Sequence, residues 1–118
     1  MKIIIDDVPP SNNKYMGRGS KGHNFTYQNE KKKWALLIKA AAFHVKKEKI
    51  EKSVIEITYY FPTRHRRDPD NYSGKFILDG LVKCGVIADD SFSNITLILN
   101  GEYDKENPRT EIEVTEIK

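Results

Sequence analysis

The sequence lacks paired cysteines, long hydrophobic runs and a secretion signal. Cys84 is the only cysteine, so it cannot form an internal disulfide, and its place in an apolar helical pattern predicts a buried, inert thiol. No apolar run approaches the roughly 20 residues that a membrane-spanning helix needs. The N-terminal segment has no long apolar region of the kind found in signal peptides. These absences favour a reducing, cytoplasmic compartment and argue against a disulfide scaffold or an integral membrane helix.

Length and composition predict one small globular domain. The chain has 118 residues, of which 38% are hydrophobic and 31% charged, a balance typical of soluble folded proteins rather than of disordered ones. A chain of this size can build one modest core over residues 1–118. Because so small a core is marginally stable by itself, a dimer that shares apolar surface would be unsurprising.

Positive charge is concentrated in the first half of the chain. The net charge is only +3, yet residues 14–49 contain ten lysines and arginines against two glutamates. Three glycines within residues 14–25 predict a mobile basic loop in that segment. This distribution suits a polyanion such as nucleic acid, but lysines on a solvated helix face would give the same pattern.

Hydrophobic periodicity predicts an α+β domain, a mixed sheet with two helices in the order β-α-β-α-β-β. An apolar face that includes Trp34, Ile38 and Ala42 indicates a first helix over about residues 26–49. Strict alternation indicates strands over residues 53–61 and 111–116, and the second of these is expected at a sheet edge. The other elements are a first strand, a second helix, a central strand and a turn, expected at residues 2–7, 69–83, 95–99 and 100–101.

The charged segment Arg64-His65-Arg66-Arg67-Asp68-Pro69-Asp70-Asn71 stands between an apolar strand and an apolar helix. Helix capping explains part of it, with Asp68 as N-cap, Pro69 in the first helical position and Asp70 near the positive end of the helix dipole. Each such interaction contributes on the order of 0.5–2 kcal/mol. Capping does not explain the crowded arginines, nor the second acidic pair at Asp89-Asp90.

The same residues would also suit a magnesium site. A residue before proline is held extended, so Asp68 and Asp70 can project from one corner, to which the link after the helix could return Asp90. Mg²⁺ takes oxygen ligands and usually keeps several waters, so two or three carboxylates suffice. Flanking arginines would offset the repulsion of DNA phosphates. Lys75 could reach such a phosphate or pair with Asp79. Taken alone, the residues leave both interpretations open.

The combination of several short motifs resembles the RusA family of Holliday junction resolvases. The similarity extends from the first strand to the last one, and the combined spacing is far more specific than any single motif. Four segments carry the resemblance: Pro9-Pro10-Ser11-Asn12-Asn13, Arg66-Arg67-Asp68-Pro69-Asp70-Asn71, Leu78-Asp79-Gly80-Leu81 and Gly85-Val86-Ile87-Ala88-Asp89-Asp90.

The resemblance implies a homodimeric, Mg²⁺-dependent endonuclease, with Mn²⁺ as a substitute, that makes paired nicks in four-way DNA junctions during recombination and repair. It implies no membrane and no small-molecule cofactor. The family's essential acids match Asp68, Asp70 and Asp90, and its helix lysine most nearly matches Lys75. One extra residue precedes Lys75, which in a regular helix would turn it by about 100°. The implied DNA-facing residues are Asn12, Asn13, Lys14, Arg18, Lys21, Arg64, Arg66, Arg67 and Asn71.

Three other interpretations remain compatible with the sequence. A non-catalytic module could bind branched or duplex DNA and use its acids only as helix caps. A structural interaction protein could carry the basic helix as a solvated surface, and it would then have no salt-dependent affinity for DNA. A metal nuclease could act on flaps or replication forks instead of four-way junctions.

Overall fold

The computed structural model describes residues 1–12, 21–43 and 48–118, with side chains of the first helix described from Tyr27 onward. It shows a single α+β domain with two α-helices, a mixed four-stranded sheet and the predicted order of elements. No helix in these ranges is long and apolar enough to cross a membrane. The elements are β1 (Lys2–Ile5), α1 (Lys21–Ala42), β2 (Ser53–Phe61), a 3₁₀ helix (Pro69–Tyr72), α2 (Lys75–Lys83), β3 (Ile95–Tyr103) and β4 (Arg109–Glu116).

The sheet has the strand order β1-β4-β2-β3. β2 runs parallel to β3 and antiparallel to β4, while β1 pairs antiparallel with β4. The alternation predicted for β2 is confirmed, because Ile55, Ile57 and Tyr59 are buried on one face while Glu56 is exposed on the other. The two helices therefore need to cover only one face of the sheet.

The core forms where α1 and α2 pack together and against the sheet. Trp34 and Ile38 of α1 and Ile77 and Leu81 of α2 are all fully buried. Burial of each aliphatic side chain of this kind stabilises the fold by about 1.5–3 kcal/mol. The helices cross closely at Gly80, where an added Cβ would lie 2.6 Å from Cδ1 of Ile38. A residue with a Cβ at position 80 would therefore have to displace the buried end of the Ile38 side chain.

The predicted bounds of the first helix were wrong at both ends. α1 begins at Lys21, inside the segment predicted as a loop over residues 14–25, because one internal glycine costs a helix only about 1 kcal/mol. It ends at Ala42 instead of continuing to residue 49. After the helix, Ile50 forms an isolated parallel β-bridge with Ile87. Residues 14–20, and with them the mobility predicted for the loop, lie outside the described residues.

The predicted positions of the last two strands were also wrong. β3 is an edge strand and β4 lies inside the sheet, between β1 and β2. The alternation of apolar and polar residues in β4 shows that one face of the strand is exposed to solvent. It does not show that the strand lies at an edge of the sheet. Asn100-Gly101 is not a turn but continues β3, whose parallel pairing with β2 extends through Tyr103. β1 likewise ends at Ile5 and not at residue 7.

Candidate active site

Arg67 fixes the shape of the loop that follows β2. Its guanidinium donates hydrogen bonds to the carbonyls of Thr63 (3.1 Å) and His65 (3.0 Å) and to Oγ1 of Thr63 (2.8 Å). It also lies 4.2 Å from the centroid of the Phe61 ring at the end of β2. These contacts hold the chain in one conformation as it approaches Asp68. Arg67 was predicted to face DNA, and its described contacts are with its own loop.

Asp68 occupies the N-cap position of the 3₁₀ helix, but its carboxylate makes no capping hydrogen bond. The carboxylate instead pairs with Arg66, whose Nη2 lies 3.2 Å from Oδ1. The Arg66 side chain is 88% exposed and that of Asp68 46%. The predicted capping bond is therefore wrong for Asp68, and its carboxylate is held at the surface by one exposed guanidinium.

The predicted second helix is divided into two pieces. A 3₁₀ helix over Pro69–Tyr72 is followed by Ser73 and Gly74, and α2 begins only at Lys75. Gly74 has a φ of 84°, a conformation that side chains with a Cβ rarely adopt. The predicted rotation of Lys75 assumed one regular helix, and it does not apply because the helical ladder is interrupted before Lys75. The Ser73-Gly74 pair is the sequence signal that could have revealed this break.

Asn12 attaches the N-terminal Pro-Pro-Ser-Asn segment to this junction. Its Nδ2 donates to the backbone carbonyl of Asp70 at 3.2 Å and to Oγ of Ser73 at 2.9 Å. Asn12 also shares the lining of a small cleft with Pro9, Pro10 and Lys75. The bond to Asp70 uses only main-chain oxygen, so it positions this residue while leaving its carboxylate exposed at the surface.

Lys75 lies at the first turn of α2, between two acidic regions. Asp79 Oδ2 is 3.8 Å from Nζ of Lys75 and 3.8 Å from Nζ of Lys31 on α1. The Asp79 carboxylate raises the pKa of Lys75 against a smaller opposing effect of partial burial, and Tyr27 and Asp90 raise it further. Lys75 is therefore held as a cation, and Asp90 is near enough to act on it electrostatically.

Asp90 is carried by a loop whose stem is anchored to the segment before β2. The backbone N–H of Ile50 donates to the carbonyl of Val86, and the N–H of Ala88 donates to the carbonyl of Ile50, both at 3.0 Å. The N–H of Asp90 donates to Oδ1 of Asp89 at 2.9 Å. The return of this acidic pair towards Asp68 stays a prediction, because no contact joins Asp90 to Asp68 or Asp70 among the described residues.

A polar groove of about 380 Å³ opens between the N-terminal segment and the loop after β2. Arg64 does not line it, and its Cζ lies 4.0 Å from the ring centroid of Tyr103 on β3. The groove presents cationic, carboxylate and amide groups on one concave surface. Its lining residues are Ser11, His65, Arg66, Arg67, Asp68, Asn71 and Tyr72.

The predicted site residues are thus distributed over three neighbouring segments. Asp68 and Asn71 share the groove, Asp70 precedes Asn71 and is bonded through its carbonyl to Asn12, and neither Lys75 nor Asp90 lines the groove. The structure also adds Asp79, whose contact with Lys31 could not be read from the sequence because α1 and α2 meet only after folding. Of the remaining predicted DNA-facing residues, Asn13, Lys14 and Arg18 lie outside the described residues, as does the Lys21 side chain.

Magnesium can be tested against the donor set on this surface. In residues 1–12, 27–43 and 48–118, no three histidine, cysteine or acidic side chains are grouped closely enough to hold a metal ion. Carboxylates are nevertheless the ligands that Mg²⁺ prefers, and one or two can suffice when water and substrate phosphates complete the shell. Asp68, Asp70 and Asp90 therefore fit the ion in donor chemistry and in their surface position, but not as a closed three-carboxylate cage.

The small α+β domain has a polar groove lined by the Asp68 carboxylate and two arginines, with Asp70 exposed at the surface and Lys75 in a separate cleft, and these groups suit phosphodiester chemistry. The family profile described as endodeoxyribonuclease RusA matches residues 7–115, nearly the whole chain. The chain therefore belongs to the RusA family of endodeoxyribonucleases. Nucleases of this family act on branched DNA junctions and generally depend on a divalent metal ion. No curated protein matches the chain.

Proposed function

We propose that this protein resolves four-way DNA junctions by paired, symmetric, Mg²⁺-dependent nicks, as a homodimer acting in recombination and repair. The observation that carries the proposal is Asp68, which stands at a helix start without capping it. The Asp68 carboxylate makes no capping bond, pairs with an exposed arginine and lines a polar groove. Such a carboxylate is suited to reaction chemistry more than to stabilising the fold. The family match supplies the substrate class.

Asp68, Asp70 and Asp90 would hold the metal ion. When bound, Mg²⁺ supplies an activated water and neutralises charge at the leaving 3′ oxygen. Arg66 grips a DNA phosphate near the acids, since a guanidinium can donate two parallel hydrogen bonds to phosphate oxygens. Lys75, kept protonated by Asp79, places a fixed positive charge beside the reacting phosphate.

The chain's other residues orient this set. Asn12 holds the 3₁₀ helix through the Asp70 carbonyl and Ser73, and Arg67 holds the loop before Asp68. Asn71 lines the groove and contacts the DNA backbone in the proposal. Two copies related by a two-fold axis would present two such sites to the two symmetric strands of a junction.

Asp70→Asn is the direct test of this assignment. The substitution preserves size and the main-chain oxygen that Asn12 contacts, but it removes the charge on the proposed metal ligand. We expect junction binding to persist while Mg²⁺-dependent nicking falls by a factor of about 10²–10³, of the order seen when charge stabilisation at a reacting centre is removed. The assay compares labelled four-way junction, duplex and flap substrates, each with Mg²⁺ or a chelator.

Asp89→Asn is the matched control. Its side-chain oxygen accepts the Asp90 N–H, and asparagine retains an oxygen for that bond. The control should therefore keep most of the nicking activity. Retained cleavage by Asp70→Asn would exclude the assignment, and junction binding without cleavage under any metal would identify a non-catalytic DNA-binding module. Preferential cleavage of flaps would show that the substrate is a flap and not a four-way junction.

A further inference from the structure

Phe92 is a fully exposed aromatic residue two positions after Asp90, with a relative exposure of 105%. Phenylalanine is normally buried, and its ring has no polar group that benefits from water. The residues on either side in the sequence, Ser91 and Ser93, are exposed as well and are polar. A protruding aromatic ring at this place is suited to a specific contact with a binding partner.

The backbone beneath Phe92 is firmly held. The N–H of Asn94 donates to the carbonyl of Ser91 at 3.0 Å, and Oγ of Ser91 donates to Oδ1 of Asn94 at 2.6 Å. Nδ2 of Asn94 donates to the carbonyl of Glu51 at 2.8 Å, and the Asn94 carbonyl accepts the N–H of Ser53 at 2.9 Å. Phe92 therefore stands at the tip of a turn tied to the start of β2, and the backbone of this turn needs no further ordering on binding.

The chemistry around the ring selects among possible occupants. Asp89 and Asp90 precede it in the sequence and are exposed, so the tip would repel an anionic membrane surface, and a contact with DNA there would have to be made through a base and not through a phosphate. A protein partner needs an interface of about 1,200–2,000 Å², and a lone ring among serines and aspartates offers far less apolar surface. A nucleobase needs only one flat apolar face, which an aromatic side chain supplies.

We propose that Phe92 stacks on a nucleobase next to the branch point of the DNA junction. Bases at a branch lack a continuous stack, so a ring can enter there at less cost than between the base pairs of an intact duplex. The contact would set the distance from the branch to the strand held near Asp90. The inference rests on the proposed function for its substrate and for the placement of Asp90, but base stacking itself requires no cleavage.

The test measures binding in a chelator, so that metal and cleavage play no part. Four-way junctions carry the fluorescent base 2-aminopurine beside the branch, and an unbranched duplex of the same sequence serves for comparison. Phe92→Ala should weaken junction binding by about 5- to 150-fold, the range for loss of one base–aromatic stack, and should abolish the fluorescence change seen with the unsubstituted protein. The duplex should lose far less affinity. Phe92→Tyr and Phe92→Trp should restore both signals.

Phe43→Ala is the matched control, since Phe43 is 82% exposed at the end of α1 and is not part of the proposed site. It should leave junction binding unchanged. The inference is overturned if Phe92→Ala binds the junction like the control, or if it weakens duplex and junction equally. It is also overturned if Phe92→Ala changes the sedimentation of the free protein, because the ring would then be a protein contact. Failure of Asp70→Asn to stop nicking would instead count against the proposed metal site alone.

Discussion

Two neighbouring arginines perform different tasks although they are adjacent in the sequence. Arg67 is enclosed by its own loop, with bonds to Thr63 and His65 and a ring contact with Phe61. Arg66 is almost fully exposed and pairs only with Asp68 among the described ion pairs. Surface ion pairs of this kind contribute little to stability. Arg66 is therefore the arginine that can leave the Asp68 carboxylate and bind a phosphate instead.

Substitution of each arginine by alanine should separate these tasks. Arg66→Ala should leave the free energy of unfolding unchanged and lower the slope of log affinity against log salt by about 0.9, the value for one lost phosphate contact. Arg67→Ala should lower the free energy of unfolding by about 1–2 kcal/mol because its loop bonds are lost. Urea unfolding and a salt titration of junction binding measure the two effects. An unchanged salt slope for Arg66→Ala would contradict the assignment.

At the scale of elements, the break between the 3₁₀ helix and α2 sets the direction of Lys75. Gly74 permits this break for two reasons. It adopts a positive φ, and it has no side chain that would collide with its neighbours. An added Cβ at Gly74 would lie only 2.9 Å from Cδ1 of Ile57, which is fully buried on β2. Any other residue there must distort the start of α2 or displace the core.

Gly74→Ala should therefore destabilise the protein by about 1–3 kcal/mol, since a positive φ is costly for residues with a Cβ. Thermal unfolding should show a midpoint lower by roughly 5 °C or more. Gly101→Ala is a suitable control, because its φ is not positive and its new Cβ would meet only Cε2 of Phe61 at an ordinary 3.5 Å. Equal midpoints for the two variants would show that the Gly74 conformation is not required.

The elements also show what local pattern can and cannot predict. Alternation defined β2 with its correct bounds and buried face, because residues 55, 57, 59 and 61 meet a core on one side only. The same pattern could not say which strand lies at an edge, since that depends on partners distant in sequence. The Asp-Pro-Asp motif was enough to propose Asp68 and Asp70 for the site, but it could not show that Arg66 and Arg67 make different contacts. That difference depends on carbonyls that only the folded loop brings together.

At the scale of the whole molecule, an ion network joins the first strand, β1, to the last strand, β4. Arg109 lies between Asp104 (2.8 Å) and Glu111 (2.7 Å), and Lys2 reaches Glu111 at 3.0 Å. Arg109 lowers the pKa of Asp104, and Arg109 followed by Lys2 lowers that of Glu111. A carboxyl whose pKa is lower in the folded protein stabilises the fold above its unfolded pKa, and this contribution is lost as pH falls through the folded value.

The contribution of these two carboxyls to the free energy of unfolding should thus be fully present near neutral pH and fall on acidification below the ordinary glutamate pKa of 4.5. Glu111→Gln should reduce stability at neutral pH and flatten the decline, because one of the linked carboxyls no longer titrates. Urea unfolding across an acidic pH series gives both curves. Parallel curves for the two proteins would show that Glu111 does not contribute to the acid sensitivity.

The pairing of β1 with β4 carries a consequence for how the protein is made. The ribosome produces β1 first, yet its partner in the sheet is the last strand, and the N-terminal amine bonds to the Val114 carbonyl across 113 positions. β4 also fills the space between β1 and β2. During translation β1 therefore has no strand partner until β4 has left the ribosome, and the sheet is completed only then. The four-stranded sheet is consequently completed in a late step, after nearly the whole chain has been synthesised.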